Sequence, residues 1–266
     1  MTISVHLFAS DVSGLRLLDD AGEAVTASCL IVPANRGGTA KIRELEAEAQ
    51  MPVVVHERGQ ALPANLPPAD AAISWLYSQI IREADLKRYR FGVLNMHGGK
   101  IPEYRGANVL QWAIINGESE LGITWHELVK EVDAGPIWAE STISIPEGAT
   151  AWEIRERMIA AGRNSFGTAW QRFLAKDSAV RLANLDAGRV WPSRKPEDGR
   201  IGAGWTERKV RDMVRALCPP WPPATIFVAK DWVPVCDVSP RHIADSIPYA
   251  TAEGRELFLL RVRGDP

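Results

Sequence analysis

The sequence is poor in cysteine, in net charge and in long apolar runs, and each shortage removes a class of protein. Three cysteines, Cys29, Cys218 and Cys236, are odd in number and far apart, which leaves neither a disulfide framework nor a CxxC metal site. Each is expected to be a small core residue. Lysine plus arginine (31) nearly balances aspartate plus glutamate (33), so no long-range field draws the chain to nucleic acid or to an anionic membrane. No stretch approaches the ~20 apolar residues of a membrane helix, and the opening MTISVHLFASDVSG has no basic segment leading into an apolar core and cleavage site. A cytoplasmic location and a small-molecule partner are expected. The five histidines form no HExxH or similar ligand pattern, so no metal is expected, and His6, His56 and His242 are assigned no function. Residues 9–14 read ASDVSG, without the glycine fingerprint that a nicotinamide-dependent oxidoreductase carries after its first strand.

What is present is an ordinary globular composition, 46% hydrophobic and 24% charged over 266 residues, which suits one large domain or one domain with a small appendage. Short apolar runs at 4–8, 27–32, 53–56, 72–75, 92–96, 123–128 and 137–145 alternate with amphipathic stretches at 15–20, 39–49, 82–87 and 109–116. That rhythm predicts an α/β fold, a doubly wound, mainly parallel Rossmann-like sheet with helices on both faces. A longer helix is expected over 151–174, opened by a capping box in which Thr150 caps and Glu153 answers three residues on. From about residue 188 the texture becomes rich in Pro, Gly and charge, and reads as a linker. A helix over 207–217 follows, stopped by CPPWPPA, and then three β-type runs at 225–229, 232–238 and 256–262. The expected domains are 1–188, catalytic, and 189–266, a helix plus a small antiparallel β appendage whose unpaired strand edges are candidates for homodimer contact.

The segment FGVLNMHGGKIPEYRGANVLQWAIINGE is the most informative. Ligands in open α/β sheets bind beyond the carboxyl ends of strands, and Asn95 and His97 stand at one such end. Period-two alternation puts both side chains on one face. An amide N–H there can donate to a developing oxyanion, and an imidazole can move protons near neutral pH. On spacing alone, a turn asparagine and a hydrogen-bonded core histidine account for the same pattern, and Asp133-Ala134-Gly135 is equally a turn.

Together these residues resemble the N10-formyltetrahydrofolate-dependent formyltransferase family. The elements that carry the likeness are Asn95-Met96-His97, Pro102-Glu103-Tyr104-Arg105-Gly106, Trp112-Ala113, Gly122-Ile123-Thr124-Trp125-His126 and Asp133-Ala134-Gly135, in the family's order. Ile73–Ile81 looks like the family's strand and following loop, and RKPEDGRI and MVRALCPPWPPATIFV look like the formyltransferase domain of the enzyme that formylates UDP-4-amino-4-deoxy-L-arabinose. The resemblance implies formyl transfer from N10-formyltetrahydrofolate to a primary amine, with a nucleotide-linked amino sugar as the expected substrate. It implies Asn95, His97 and Asp133 as catalytic residues, and a pterin held by the backbone of Tyr77, Ser78, Gln79, Ile80 and Ile81 and of the loop with Lys130 and Val132. Lys100, Tyr104 and Arg105 are candidates for substrate contact, Trp205 and Trp221 for stacking on a base, and His126 for a structural histidine.

Two departures stand out. Gly99-Lys100-Ile101 replaces the Ser-Leu-Leu usual before the proline, removing a hydroxyl contact, and Asn108-Val109 stands where a proline often opens the helix. The short C-terminal region argues against tRNA. A different amine acceptor (hydroxyornithine, Met-tRNA), formyltetrahydrofolate hydrolysis and a catalytically silent binding module stay open as alternatives.

Overall fold

A computed structural model describes residues 2–34, 38–176, 179–180 and 185–262. Its strands are β1 (Ile3–Ala9), β2 (Val25–Pro33), β3 (Val53–His56), β4 (Ala71–Trp75), β5 (Gly92–His97), β6 (Arg105–Gly106), β7 (Glu120–Glu127), β8 (Ile137–Ser144), β9 (Val190–Trp191), β10 (Arg200–Ile201), β11 (Ala224–Val228), β12 (Asp231–Ser239), β13 (Ile247–Ala250) and β14 (Glu256–Arg261). The α-helices are α1 (Ser13–Ala21), α2 (Gly38–Glu48), α3 (Glu83–Leu86), α4 (Val109–Ile115), α5 (Ala151–Ala175) and α6 (Glu207–Ala216).

The central sheet has seven strands in the order β3-β2-β1-β4-β5-β7-β8. Neighbours from β3 to β5 pair in parallel, and β7 runs antiparallel to β5. The chain winds outward one way through β1, β2 and β3, then returns to β4 beside β1 and winds the other way. That reversal is the doubly wound pattern, and it leaves a crevice beyond the carboxyl ends of the strands. Strands buried on both faces read as continuous apolar runs. Leu7, Phe8, Ala9, Leu30, Ile31, Ala72, Ile73, Trp75, Val93 and Leu94 accordingly sit in the core.

By contact density the chain forms two compact units, one of Met1–Arg105, Gly122–Thr142 and Ile159–Arg189, the other of Gly106–Leu121, Ile143–Met158 and Val190–Pro266. In the first, α5 lies close to the sheet because Gly162 leaves room for the Trp75 ring, and Trp125 Nε1 donates to the carbonyl of Gly162 at 3.1 Å. In the second, α4 ends on Gly117, whose φ of +75° suits a residue without Cβ. The N–H groups of Gly117 and Glu118 close the helix on Ile114 O and Ala113 O at 2.9 and 3.0 Å. The capping box also forms: Thr150 N–H donates to Glu153 Oε2 at 2.8 Å, and Glu153 N–H to Thr150 Oγ1 at 3.3 Å. The Thr150 N–H and hydroxyl, both donating to Glu153 Oε2, hold that carboxyl below its usual range.

The C-terminal strands form a separate sheet in the order β10-β11-β12-β14-β13, with α6 packed on β12. Three readings need correction here. Residues 200–201, taken for linker, form β10 and pair in parallel with β11, so the sheet is not wholly antiparallel. β13 went unrecognised because Pro248 interrupts it. Cys236, expected in the core, is exposed on β12, with only Cys29 fully buried and its thiol pushed up to about 11 by that burial.

Candidate active site

β5 carries Asn95 and His97, and the antiparallel register sets His126 of β7 opposite Asn95 and Thr124 opposite His97. Directly opposed residues project on the same face, so four polar side chains gather at this end of the sheet. All four lie in the first unit, as does Asp133.

The hydrogen-bond geometry dictates where protons sit. His97, buried, has its Nε2 2.5 Å from the carbonyl of Tyr104. A carbonyl only accepts, so Nε2 carries the proton. Nδ1 then faces Asp133 Oδ2 at 3.6 Å. Asp133 sits on a tight turn, at φ +47°, and is 11% exposed. Its other oxygen lies 3.4 Å from His126 Nε2, and the Asn95 amide nitrogen is 3.0 Å from that same Nε2. The two imidazoles meet edge to face at 6.1 Å. Asn95, His97 and Asp133, 38 residues apart from first to last in the sequence, are thus joined around one pair of rings.

Gly99 explains why the Tyr104 carbonyl can reach His97. A Cβ at this position would lie 2.5 Å from Tyr104 O and 2.7 Å from His97 Nε2. The residue read as a lost hydroxyl contact is therefore a close approach between two strands of backbone. Thr124 Oγ1 donates to the Gly99 carbonyl at 2.9 Å and fixes that turn from below. Lys100 points to solvent and pairs with Glu103 at 3.2 Å. Arg105 is buried, its Nε without a hydrogen-bond partner.

The first segment expected to face the pterin is anchored in a hydrophobic cluster, which Leu128, just before the second segment, also touches. Ile81 is part of it, and Tyr77 and Leu128 pack against it beside Phe8. Ile80 is 77% exposed and Val132 43%, which presents apolar surface to a ligand. Both amide atoms of Gln79 are buried without a hydrogen-bond partner, an orphaned group suited to the polar edge of a bound ring. Ser78 and Lys130 are exposed. His56, given no role from its spacing, supports this region. Its Nε2 donates to Gln60 O at 3.1 Å, and Tyr77 Oη donates to its Nδ1 at 2.6 Å. Burial raises the Tyr77 hydroxyl and so keeps it a donor. No local signal links residues 21 positions apart in this way.

Trp205 has Lys209 over its ring at 4.0 Å, and Trp221 packs on Trp152 at 6.3 Å. Among the described residues no group of three or more His, Cys, Asp or Glu side chains could hold a metal ion, and no helix is long and apolar enough to cross a membrane.

Residues 39–169 match the family model described as formyl transferase. The matched segment is similar to a formyl transferase domain. Solved structures share its fold. An N-formyltransferase from Helicobacter canadensis, in complex with folinic acid and dTDP-3-aminofucose, is 14% identical over 98% of this chain and 100% of that one, with a TM-score of 0.73. A sugar N-formyltransferase from Shewanella sp FDAARGOS_354 is 16% identical over 88% of this chain and 96% of that one, at 0.70. HypX from Aquifex aeolicus in complex with tetrahydrofolic acid is 20% identical over 97% of this chain, at 0.66, and this chain spans only 44% of HypX. The formyl transferase model covers β3 to β5, the Asn95-Met96-His97 strand end, β7 and Asp133, so every residue of the cluster lies within the matched segment.

Proposed function

We propose that this enzyme transfers a formyl group from N10-formyltetrahydrofolate to the primary amine of a small, nucleotide-linked amino sugar. The observation that carries the reading is the meeting of Asn95, His97 and Asp133 around His126 within the segment similar to a formyl transferase domain. The Helicobacter canadensis neighbour, bound to folinic acid and dTDP-3-aminofucose, supports the choice of donor and acceptor.

N10-formyltetrahydrofolate supplies an activated formyl carbon when bound, held by the loop of Tyr77, Ser78, Gln79, Ile80 and Ile81 and by the loop of Lys130 and Val132. When a neutral amine attacks that carbon, negative charge develops on the formyl oxygen. Asn95 donates one amide proton to His126, and its second N–H is the donor for this oxygen. His97 works through Nδ1, because Tyr104 occupies Nε2. It takes the proton from the attacking amine as the C–N bond forms and returns it to the departing folate nitrogen as the old bond breaks. Asp133, beside Nδ1, stabilises the imidazolium that forms in between. Lys100, Tyr104 and Arg105 are proposed to face the acceptor.

The test uses purified protein, N10-formyltetrahydrofolate and a panel holding dTDP-3-aminofucose, UDP-4-amino-4-deoxy-L-arabinose, hydroxyornithine and no acceptor. Tetrahydrofolate release that requires an amino sugar, with the mass gain of one formyl group on that sugar, is the expected result. Equal release without any amine would replace transfer by hydrolysis.

A further inference from the structure

We propose that His126 is a positioning residue that sets which way the Asn95 amide faces. The proposal rests on the reading of Asn95 as the oxyanion donor and adds to it what holds that donor.

An asparagine amide has two nearly isosteric orientations, and only one points an N–H where an oxyanion needs it. His126 is 0% exposed, so protein groups must satisfy both ring nitrogens. Nδ1 lies 3.1 Å from the carbonyl of Glu127, an acceptor only, so Nδ1 holds the ring proton. Nε2 is then a bare acceptor, 3.0 Å from Asn95 Nδ2. Turned over, the amide would place its oxygen against that lone pair, with no proton between them. A lost buried hydrogen bond of this kind disfavours the wrong orientation by roughly 10–100-fold. The antiparallel register sets Asn95 opposite His126, which brings the two side chains together on one face. The same Nε2 lies 3.4 Å from Asp133 Oδ1, beyond the ~3.2 Å at which a hydrogen bond fades, so the 3.0 Å contact with Asn95 sets its role.

His126→Leu removes the acceptor and keeps an apolar filling. His126→Gln restores an acceptor near the Nε2 position. With N10-formyltetrahydrofolate and the acceptor turned over in the panel, His126→Leu, which removes that bias and leaves the two amide orientations about equally populated, is expected to lower kcat by about 2-fold. KM for both substrates should stay near the parent value, and His126→Gln should recover most of the rate. In an Asn95→Ala background, His126→Leu should cost nothing further, because the two act through one donor. Losses that multiply, a parental kcat in His126→Leu, or a Gln variant as slow as Leu would each overturn the proposal. Nitrogen-15 spectra of the full chain supply a second readout without turnover. The proton of His126 is expected on Nδ1, and finding it on Nε2 would overturn the assignment. An Asn95→Ala enzyme as fast as the parent refutes the oxyanion role itself, whereas a slow Asn95→Ala beside a His126→Leu with the parental kcat refutes the positioning role alone.

Discussion

Gly99→Ala is the sharpest perturbation of the site, because it adds one methyl group where backbone already stands. The new Cβ would fall 2.5 Å from Tyr104 O, 2.7 Å from His97 Nε2 and 3.1 Å from Tyr104 Cβ. Carbon and oxygen atoms rest near ~3.5 Å, so the carbonyl must withdraw by about 1 Å. It cannot do so and keep His97, since Nε2 is 2.5 Å away and a hydrogen bond fades beyond ~3.2 Å. The buried imidazole would then lose the acceptor for its proton, at about 1–3 kcal/mol, and crowding would add about 1–3 kcal/mol unless the turn relaxes. A loss of about 2–6 kcal/mol in stability is expected, the lower end reflecting partial relaxation.

The effect on rate has a separate cause. Without the Tyr104 carbonyl, Nε2 no longer fixes the tautomer, and the proton is free to sit on Nδ1, the nitrogen proposed to accept from the amine. A fall in kcat of roughly 10²-fold follows if general base work of typical size is lost. Urea unfolding measures the first quantity and initial rates of tetrahydrofolate release the second. Gly99→Ser, which installs the residue common in the resembling family, is expected to do the same. Either variant with stability within ~0.5 kcal/mol of the parent and an unchanged kcat would refute the close-approach argument.

Asn95→Ala should lower kcat by roughly 10²–10³-fold, the usual cost of one oxyanion donor, with folate affinity by thermal shift unchanged. Thr150→Ala removes the side-chain cap of α5 and should cost about 1 kcal/mol in urea unfolding with no change in rate. His6 predicts a pH dependence. Burial, offset in part by a hydrogen bond from Nε2 to Pro67 O at 2.8 Å, lowers its pKa from 6.5. Below 6.5 the unfolded chain therefore takes up a proton that the folded chain resists. The contribution of His6 to stability is complete above that value and declines as pH falls, so the urea midpoint should drop between neutral pH and pH 5.5 less steeply in His6→Gln than in the parent.

The parts of this protein that were legible in its sequence are those that local chemistry decides. Buried parallel strands must be apolar, so β1, β2, β4 and β5 announce themselves, and Thr150 with Glu153 marks a helix start because the cap is made within four residues. Tertiary choices leave weaker traces. β13 hides behind Pro248, a residue barred from central strands. Yet among the described residues β13 ends its sheet and pairs with β14 alone, so one side of the strand has no partner there to miss a proline N–H. Parallel pairing of β10 depends on β11, 25 residues on, and two residues carry no period to detect. The same limit governs the site. Asn95 and His97 share a face by alternation alone, but whether that face is catalytic depends on His126, 31 residues away, arriving opposite Asn95. A slip of one residue in the β5 to β7 register would turn His126 to the other face and bring Trp125 or Glu127 opposite Asn95. The order of motifs along the chain is thus consistent with a site only because the register is held. Trp125 is part of what holds it, fully buried and tied through its indole N–H to Gly162 and Ser165.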